Sequence, residues 1–177
     1  MNALYRRIFK SQQTGVAAIS ELLQSMFVGE LLLAGESLWL VSPWVSNIVL
    51  IDNRSGNFDT LNPEWSRREI RLIDVLLSLM SRGSHVSIVT RRDEINVSFI
   101  NGIRDRSQDL GLGEFLKIEL KEHLHTKGIL LSKSLLTGSM NLTYSGLVIN
   151  DECIIFSIDP DDIARTRLEF EKYLRSV

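Results

Sequence analysis

The chain has 177 residues, of which 44% are hydrophobic and 24% are charged, a balance that fits one globular domain with a real core. Its 20 basic and 22 acidic residues give a net charge of −2, which excludes a global electrostatic attraction to nucleic acid but not a local basic patch. The single cysteine, Cys153, excludes an intrachain disulfide.

Targeting and membrane signals are weak in this sequence. Residues 1–10 include basic side chains but no apolar stretch of a secretory signal. Glu21, Glu30 and Glu36 interrupt the longest apolar stretches, so we expect no membrane span and no membrane partner. Together these features predict a soluble, cytoplasmic protein with one domain, 1–177, whose residues 1–35 form an N-terminal helical segment.

The first half of the chain predicts helices that alternate with strands. The predicted elements, in chain order, are a helix at 16–33, a buried strand at 38–41, a long loop at 52–64, a helix from 66 to about 80 and a strand at 85–90. The second of these helices rests on Ser66 and Glu69, which match a capping box.

Strands cluster in the second half of the chain. A weak helix is predicted at 95–109, strands at 115–120, 124–131, 135–137 and 154–158, and a last helix from 160 to about 174. Asp159 is a good N-cap for that helix, with Pro160 at its first position. This order predicts an α/β fold in which a mixed β-sheet is flanked by helices on both faces.

One group of polar residues stands out near the end of the chain. His125 and Lys127 are two apart, so from a strand they would project on the same side. A turn after that strand would bring Ser139 and Asn141 back to the same end of the sheet, and Glu152 follows at the next strand. The pattern therefore predicts that these residues come together in one site.

These residue types suit phosphoryl chemistry. A neutral imidazole such as that of His125 can attack phosphorus and form a phosphohistidine. Lys127 is a compact cation for phosphate oxygens, and the Asn141 amide and Ser139 hydroxyl can donate to the same oxygens. No Cys, His or carboxylate cluster has the spacing of metal ligands, so we expect no catalytic metal and no cofactor.

His125-x-Lys127 followed by Gly138-Ser139-x-Asn141 resembles the signature of the phospholipase D superfamily. The early strand from Leu38 to Trp44 also looks like the first strand of such domains, and the resemblance extends to about Ile158. It implies a phospholipase D-like mixed sheet with helices on both faces. The family has an Asp five residues after the Lys, mainly as a support for the site; this position is Ser132 here.

The resemblance also implies an oligomeric state. The family mechanism needs two histidines, and the sequence contains one copy of the motif. Short single-motif members pair two chains across a two-fold axis, so the resemblance implies a homodimer. One His125 would then attack phosphorus while the partner's His125 protonates the leaving oxygen, and Glu152 would orient a His125 imidazole.

Four further residues are candidate substrate contacts. Ser42 and Trp44 follow the first predicted strand, where open sheets commonly bind ligands, although Trp44 fits a core position or a dimer interface equally well. Arg91 follows the second strand and could face phosphate, although a solvated turn explains it too. Gly138 fits both a substrate contact and a turn.

Three functions are consistent with this sequence. The first is a phosphodiesterase that acts on nucleic acid, as a DNA endonuclease. Within the nuclease branch the chain resembles phospholipase D-like components of bacterial deazapurine DNA-modification and restriction systems, which implies a role in phage defence with other subunits of a defence system as partners. The alternatives are a phospholipid hydrolase and a non-catalytic nucleic-acid-binding or scaffold subunit of such a system.

Overall fold

The computed structural model describes residues 4–33 and 35–175. The strands are β1 (Tyr5–Lys10), β2 (Ser37–Val41), β3 (Val49–Asp52), β4 (Glu69–Arg71), β5 (His85–Arg91), β6 (Leu116–Lys121), β7 (Gly128–Leu130), β8 (Leu135–Gly138) and β9 (Glu152–Ser157). A seven-stranded sheet has the order β1-β9-β8-β7-β2-β5-β6, and β3 pairs with β4 separately. The β2–β5 and β5–β6 pairs are parallel, and the other pairs are antiparallel.

Helices cover both faces of this sheet. They are α1 (Val16–Leu33), α2 (Leu72–Met80), α3 (Glu94–Asp109) and α4 (Pro160–Glu171). Alternate residues of β2 divide between two hydrophobic clusters, as the period of a strand requires. Leu40 packs in the cluster that contains buried residues of α1, α2 and α3, whereas Trp39 packs with Phe170 of α4. The predicted fold class, a mixed sheet with helices on both faces, is therefore confirmed.

The N-terminal segment is not helical throughout, and this corrects the prediction. The helix expected at 16–33 is α1, but a strand, β1, precedes it and pairs with β9 near the other end of the chain. Pairing across that sequence distance leaves no local signal, which is why the strand was missed. Residues 1–3 and 34 of the predicted segment lie outside the described residues.

The predicted start of the second helix was also wrong. The helix α2 begins at Leu72, not Ser66, because Glu69 belongs to β4, which pairs with β3 across the predicted loop. Asp74, rather than Glu69, accepts the backbone N–H of the residue before the helix, Arg71 (3.0 Å). Hydrogen bonding between segments thus outweighed the local capping pattern.

The helix α1 is 18 residues long and, by length and composition alone, apolar enough to cross a membrane. One side of it, with Ile19, Leu23 and Phe27, is buried in the core of the domain. Glu30 is buried as well, where it accepts hydrogen bonds from Ser132.

Candidate active site

Five neighbouring strands each begin or finish at the same edge of the sheet. Strands β2, β5 and β8 finish there, while β7 and β9 begin there because they run in the opposite direction. This edge carries the predicted residues that follow β2, β5 and β8 and those that precede or open β7 and β9. They are Ser42, Trp44, Arg91, His125, Lys127, Gly138, Ser139, Asn141 and Glu152.

His125 and Lys127 lie just before a strand rather than within one. The strand predicted at 124–131 is only β7, since its partner β2 ends at Val41, opposite Gly128. The preceding segment is fixed by side chains instead. Arg91 Nε donates to the carbonyl of Leu124 (2.8 Å), and Tyr173 Oη donates to Thr126 Oγ1 (2.8 Å). His125 is exposed between these two attachment points.

Lys127 is half-buried beside His125. Its Nζ donates to the His125 carbonyl (2.6 Å), and its stem lines a small apolar cavity with Met140 and Ile154. Burial lowers the pKa of Lys127; the nearby Glu152 carboxylate raises it, and the Arg91 guanidinium lowers it further. The net effect is a pKa of Lys127 below the ordinary lysine value. The ammonium interacts electrostatically with both Glu152 and Arg91.

Gly138 allows β8 and β9 to hold Ser139 against Glu152. Its φ is +139°, and a Cβ there would collide with the Cys153 carbonyl oxygen. Beyond it, Ser139 N donates to that carbonyl (3.0 Å), and Cys153 N donates to Ser139 Oγ (2.9 Å). The Ser139 hydroxyl in turn donates to the buried Glu152 carboxylate. Gly138 thus ends strand β8 rather than forming the predicted turn, and a substrate contact at Gly138 stays a prediction.

Ser42 is a buried residue that contacts the loop carrying Asn141. Ser42 is fully buried; its Oγ donates to the Trp44 carbonyl (2.8 Å) and lies 3.4 Å from Asn141 Oδ1. The N–H of Leu142 donates to the same Oγ (3.2 Å). Burial places Ser42 out of direct reach of a substrate in this structure, so its observed role is to position the loop that carries Asn141.

Trp44 and Arg91 form the opposite side of the site. Trp44 Nε1 donates to Asp93 Oδ2 (3.1 Å), and the Arg91 guanidinium lies 5.3 Å from the Trp44 ring centroid, a cation–π distance. Asn96 Nδ2, fully buried, donates to the carbonyls of Pro43 and Arg91 (both 2.9 Å). Sequence analysis missed Asp93 and Asn96, because nothing in their spacing connects them to the motif.

Glu152 has a different partner from the one expected. Among the described residues it accepts from Ser139, and no hydrogen bond joins it to His125. Orientation of a His125 imidazole by Glu152 therefore stays a prediction for the dimer. Within residues 4–33 and 35–175, no group of three or more His, Cys, Asp and Glu side chains lies close enough to hold a metal ion.

Ser132 lies at the far end of β7 from the site. Glu30 of α1 accepts hydrogen bonds from both the backbone N–H (3.0 Å) and the hydroxyl (2.5 Å) of Ser132. A carboxylate is thus present at this position of the fold, but it comes from a residue of α1 rather than from position 132.

The fold and this site define a class of protein. Residues 48–174 match the family described as "Cardiolipin synthase, PLD-like domain". Because the match spans most of the chain, the protein belongs to this family of phospholipase D-like domains, which confirms the resemblance inferred from the motif. Comparison with curated proteins gives no match.

Solved structures share the fold at low sequence identity. Nuc from Salmonella typhimurium, a phospholipase D family member, has a TM-score of 0.62 and 14% identity over 96% of this chain and 93% of its own. NucT from Helicobacter pylori has a TM-score of 0.57 and 13% identity over 96% of both chains. TrmBL2, an archaeal chromatin protein, has a TM-score of 0.60 and 11% identity over 98% of this chain and 52% of its own.

Proposed function

We propose that the protein is a metal-independent phosphodiesterase that cleaves DNA through a phosphohistidine at an active site shared by two subunits. The observation that supports this most is the meeting of His125, Lys127, Ser139, Asn141 and Glu152 at one edge of a phospholipase D-like sheet. An exposed imidazole, a cation and hydroxyl and amide donors together match what phosphoryl transfer requires.

The proposed reaction has two displacements. The His125 imidazole of one subunit attacks phosphorus; an N–P bond forms, the P–O bond to the leaving nucleotide breaks, and His125 of the partner subunit donates the proton to that oxygen. Water then attacks phosphorus; a P–O bond forms, the N–P bond breaks to release the phosphorylated product and the free His125 imidazole, and the proton of water returns the partner subunit's His125 to its protonated form. Lys127 and the donors of Ser139 and Asn141 stabilise the negative charge on the phosphoryl oxygens in both transition states.

The first test is cleavage of DNA in EDTA by wild type and by His125→Ala. We expect activity in the wild type and a loss of at least about a thousandfold in the variant, because the nucleophile is removed. His123→Ala is the matched control, since His123 is exposed two residues away in the same segment. Equal cleavage by wild type and His125→Ala would contradict His125 as nucleophile.

A covalent intermediate supplies a second, independent measurement. Acid-free quenching followed by intact-mass analysis should reveal a phosphorylated adduct in wild type and none in His125→Ala. An adduct on another residue would assign the nucleophile elsewhere while leaving the phosphodiesterase activity in place.

DNA binding without cleavage is the second candidate. TrmBL2, whose structure is described as showing a novel mode of DNA binding, shares this fold. This chain also has Ser132 where the family motif has an acid. Binding of DNA by wild type, with neither cleavage nor a covalent adduct, would favour this non-catalytic function.

Phospholipid hydrolysis is the third candidate, because the matching family profile carries the name of a cardiolipin synthase. Turnover of phospholipid vesicles by a protein that leaves DNA intact would favour it.

The DNA proposal further places the protein in the cytoplasm, away from membranes, with partners in a restriction or phage-defence system. Its test is co-purification of such subunits with this protein.

A further inference from the structure

Lys10 is a buried cation whose ammonium makes no hydrogen bond to the described residues. It is the last residue of β1; the residue is 3% exposed, and its Nζ has no hydrogen-bond partner among the described residues. Burial of an unpaired ammonium is unfavourable because the charge loses its hydration without compensation. A bound anion would supply the missing partner, so the surroundings of Lys10 in the sheet are a candidate anion site.

Lys10 lies at the same edge of the sheet as the candidate active-site residues, one strand beyond Glu152. In the β1–β9 pair it stands opposite Glu152, and opposite residues of an antiparallel pair project on the same side with Cβ atoms about 5 Å apart. Lys10 lines a surface cavity of about 460 Å³ together with Ser139 and two carboxylates, Asp151 and Glu152. The order β1-β9-β8-β7 puts Lys10 three strands, on the order of 14 Å, from the strand that Lys127 precedes.

The rest of β1 has the composition of a nucleic-acid-binding strand. It is an edge strand of the sheet, with the sequence Tyr5-Arg6-Arg7-Ile8-Phe9-Lys10. Tyr5 and Phe9 are exposed, Phe9 to 72%, and both arginines are exposed as well. Phe9 lines the same cavity as Lys10. Exposed aromatic rings close to cations can bind single strands by stacking on bases and pairing with phosphates.

We propose that this cavity binds the phosphate of a nucleotide that flanks the scissile phosphate through the Lys10 ammonium, and that the exposed Phe9 ring, at the rim of the cavity, stacks on a neighbouring base. The flexible stem of lysine lets the ammonium turn toward a phosphate that enters beside Ser139. The local cations of β1 also explain how a chain with a net charge of −2 would hold a polyanion. This inference rests on the proposed function, because it assumes that the active site acts on a nucleic acid.

The experiment measures binding of a single-stranded DNA oligonucleotide across a range of salt concentrations, in a His125→Ala background that does not cut it. Lys10→Met should reduce the slope of log K against log salt by about 0.7, the contribution of one phosphate contact, and Lys10→Arg should restore it. Phe9→Ala should weaken binding by about fivefold or more without changing the slope. The controls are Lys133→Met and Leu110→Ala, which are exposed residues on other parts of the surface.

Other outcomes would overturn the inference. If Lys10→Met lowers the melting temperature and leaves the salt slope unchanged, Lys10 is a structural partner of Glu152. If Phe9→Ala changes the oligomeric state but not DNA affinity, the β1 edge is a subunit interface. Absence of DNA binding by the parent protein also overturns it. Failure of the cleavage assay alone leaves the binding result intact, so the two proposals fail separately.

Discussion

A glycine at position 138 is required by the contact between β8 and β9. Its φ of +139° and the nearby Cys153 carbonyl leave no room for a side chain. We predict that Gly138→Ala lowers the free energy of unfolding by about 2–4 kcal/mol and reduces activity, because the β8–β9 pair must separate beside Ser139. Urea denaturation measures the first effect.

The matched control for that variant is Gly83→Ala. Gly83 also has a positive φ, +92°, but nothing lies within 4 Å of the Cβ position. It should therefore cost only the backbone strain, about 1–2 kcal/mol. Equal losses in the two variants would show that the contact with Cys153 contributes nothing.

We predict that Lys127 sets the alkaline side of the pH profile of cleavage. Burial and Arg91 lower the pKa of Lys127 while Glu152 raises it, and the net shift is downward. If the ammonium is required, kcat/KM falls as pH rises through this lowered pKa, earlier than for an ordinary lysine. Arg91→Met removes a repulsive charge, so the alkaline limb should move to higher pH. A limb that stays in place would assign it to another group.

At the scale of elements, α1 and β7 are joined by Glu30 and Ser132. Both oxygens of the buried Glu30 carboxylate accept from Ser132, which is half-buried just after β7. We predict that Ser132→Asp, although it restores the acid of the family motif, lowers the free energy of unfolding by about 1–3 kcal/mol, because two carboxylates then share one buried space.

The double variant Glu30→Gln/Ser132→Asp tests this interpretation. A glutamine amide can donate to the new aspartate, so the double variant should recover stability relative to Ser132→Asp alone, with a coupling of about 1–2 kcal/mol in a double-mutant cycle. Strictly additive losses would mean that the two residues do not depend on each other. Urea denaturation of the four proteins gives all the terms.

For the whole molecule, the proposed mechanism requires two subunits because each contributes one His125. We predict a homodimer by light scattering. When equal amounts of wild type and His125→Ala exchange subunits, only one quarter of the dimers carry two intact histidines. Cleavage should therefore fall to about one quarter of the rate given by wild type alone at the same total protein concentration. A fall to about one half, or a strictly monomeric protein with full activity, would contradict the shared site.

The whole fold follows the sequence wherever the decisive interactions are local. Apolar spacing predicted α1 over Val16–Leu33, and Asp159 caps α4 through the N–H of Asp161 as its position suggested. His125 and Asn141 were singled out because their types and spacing match the motif of the family, which residues 48–174 match as a whole. These features depend on neighbours a few positions apart, which a sequence displays directly.

Only the tertiary structure decided the features that depend on distant partners. The pairing of β1 with β9 placed Lys10 beside Glu152, the end of β2 limited β7 to three residues, and α1 supplied Glu30 to Ser132, 102 positions away. Such contacts join segments that are far apart in the sequence, and the sequence of one segment does not indicate its partner. The sequence by itself therefore determined the family motif and the candidate site residues, and the packing of the sheet determined what surrounds and positions them.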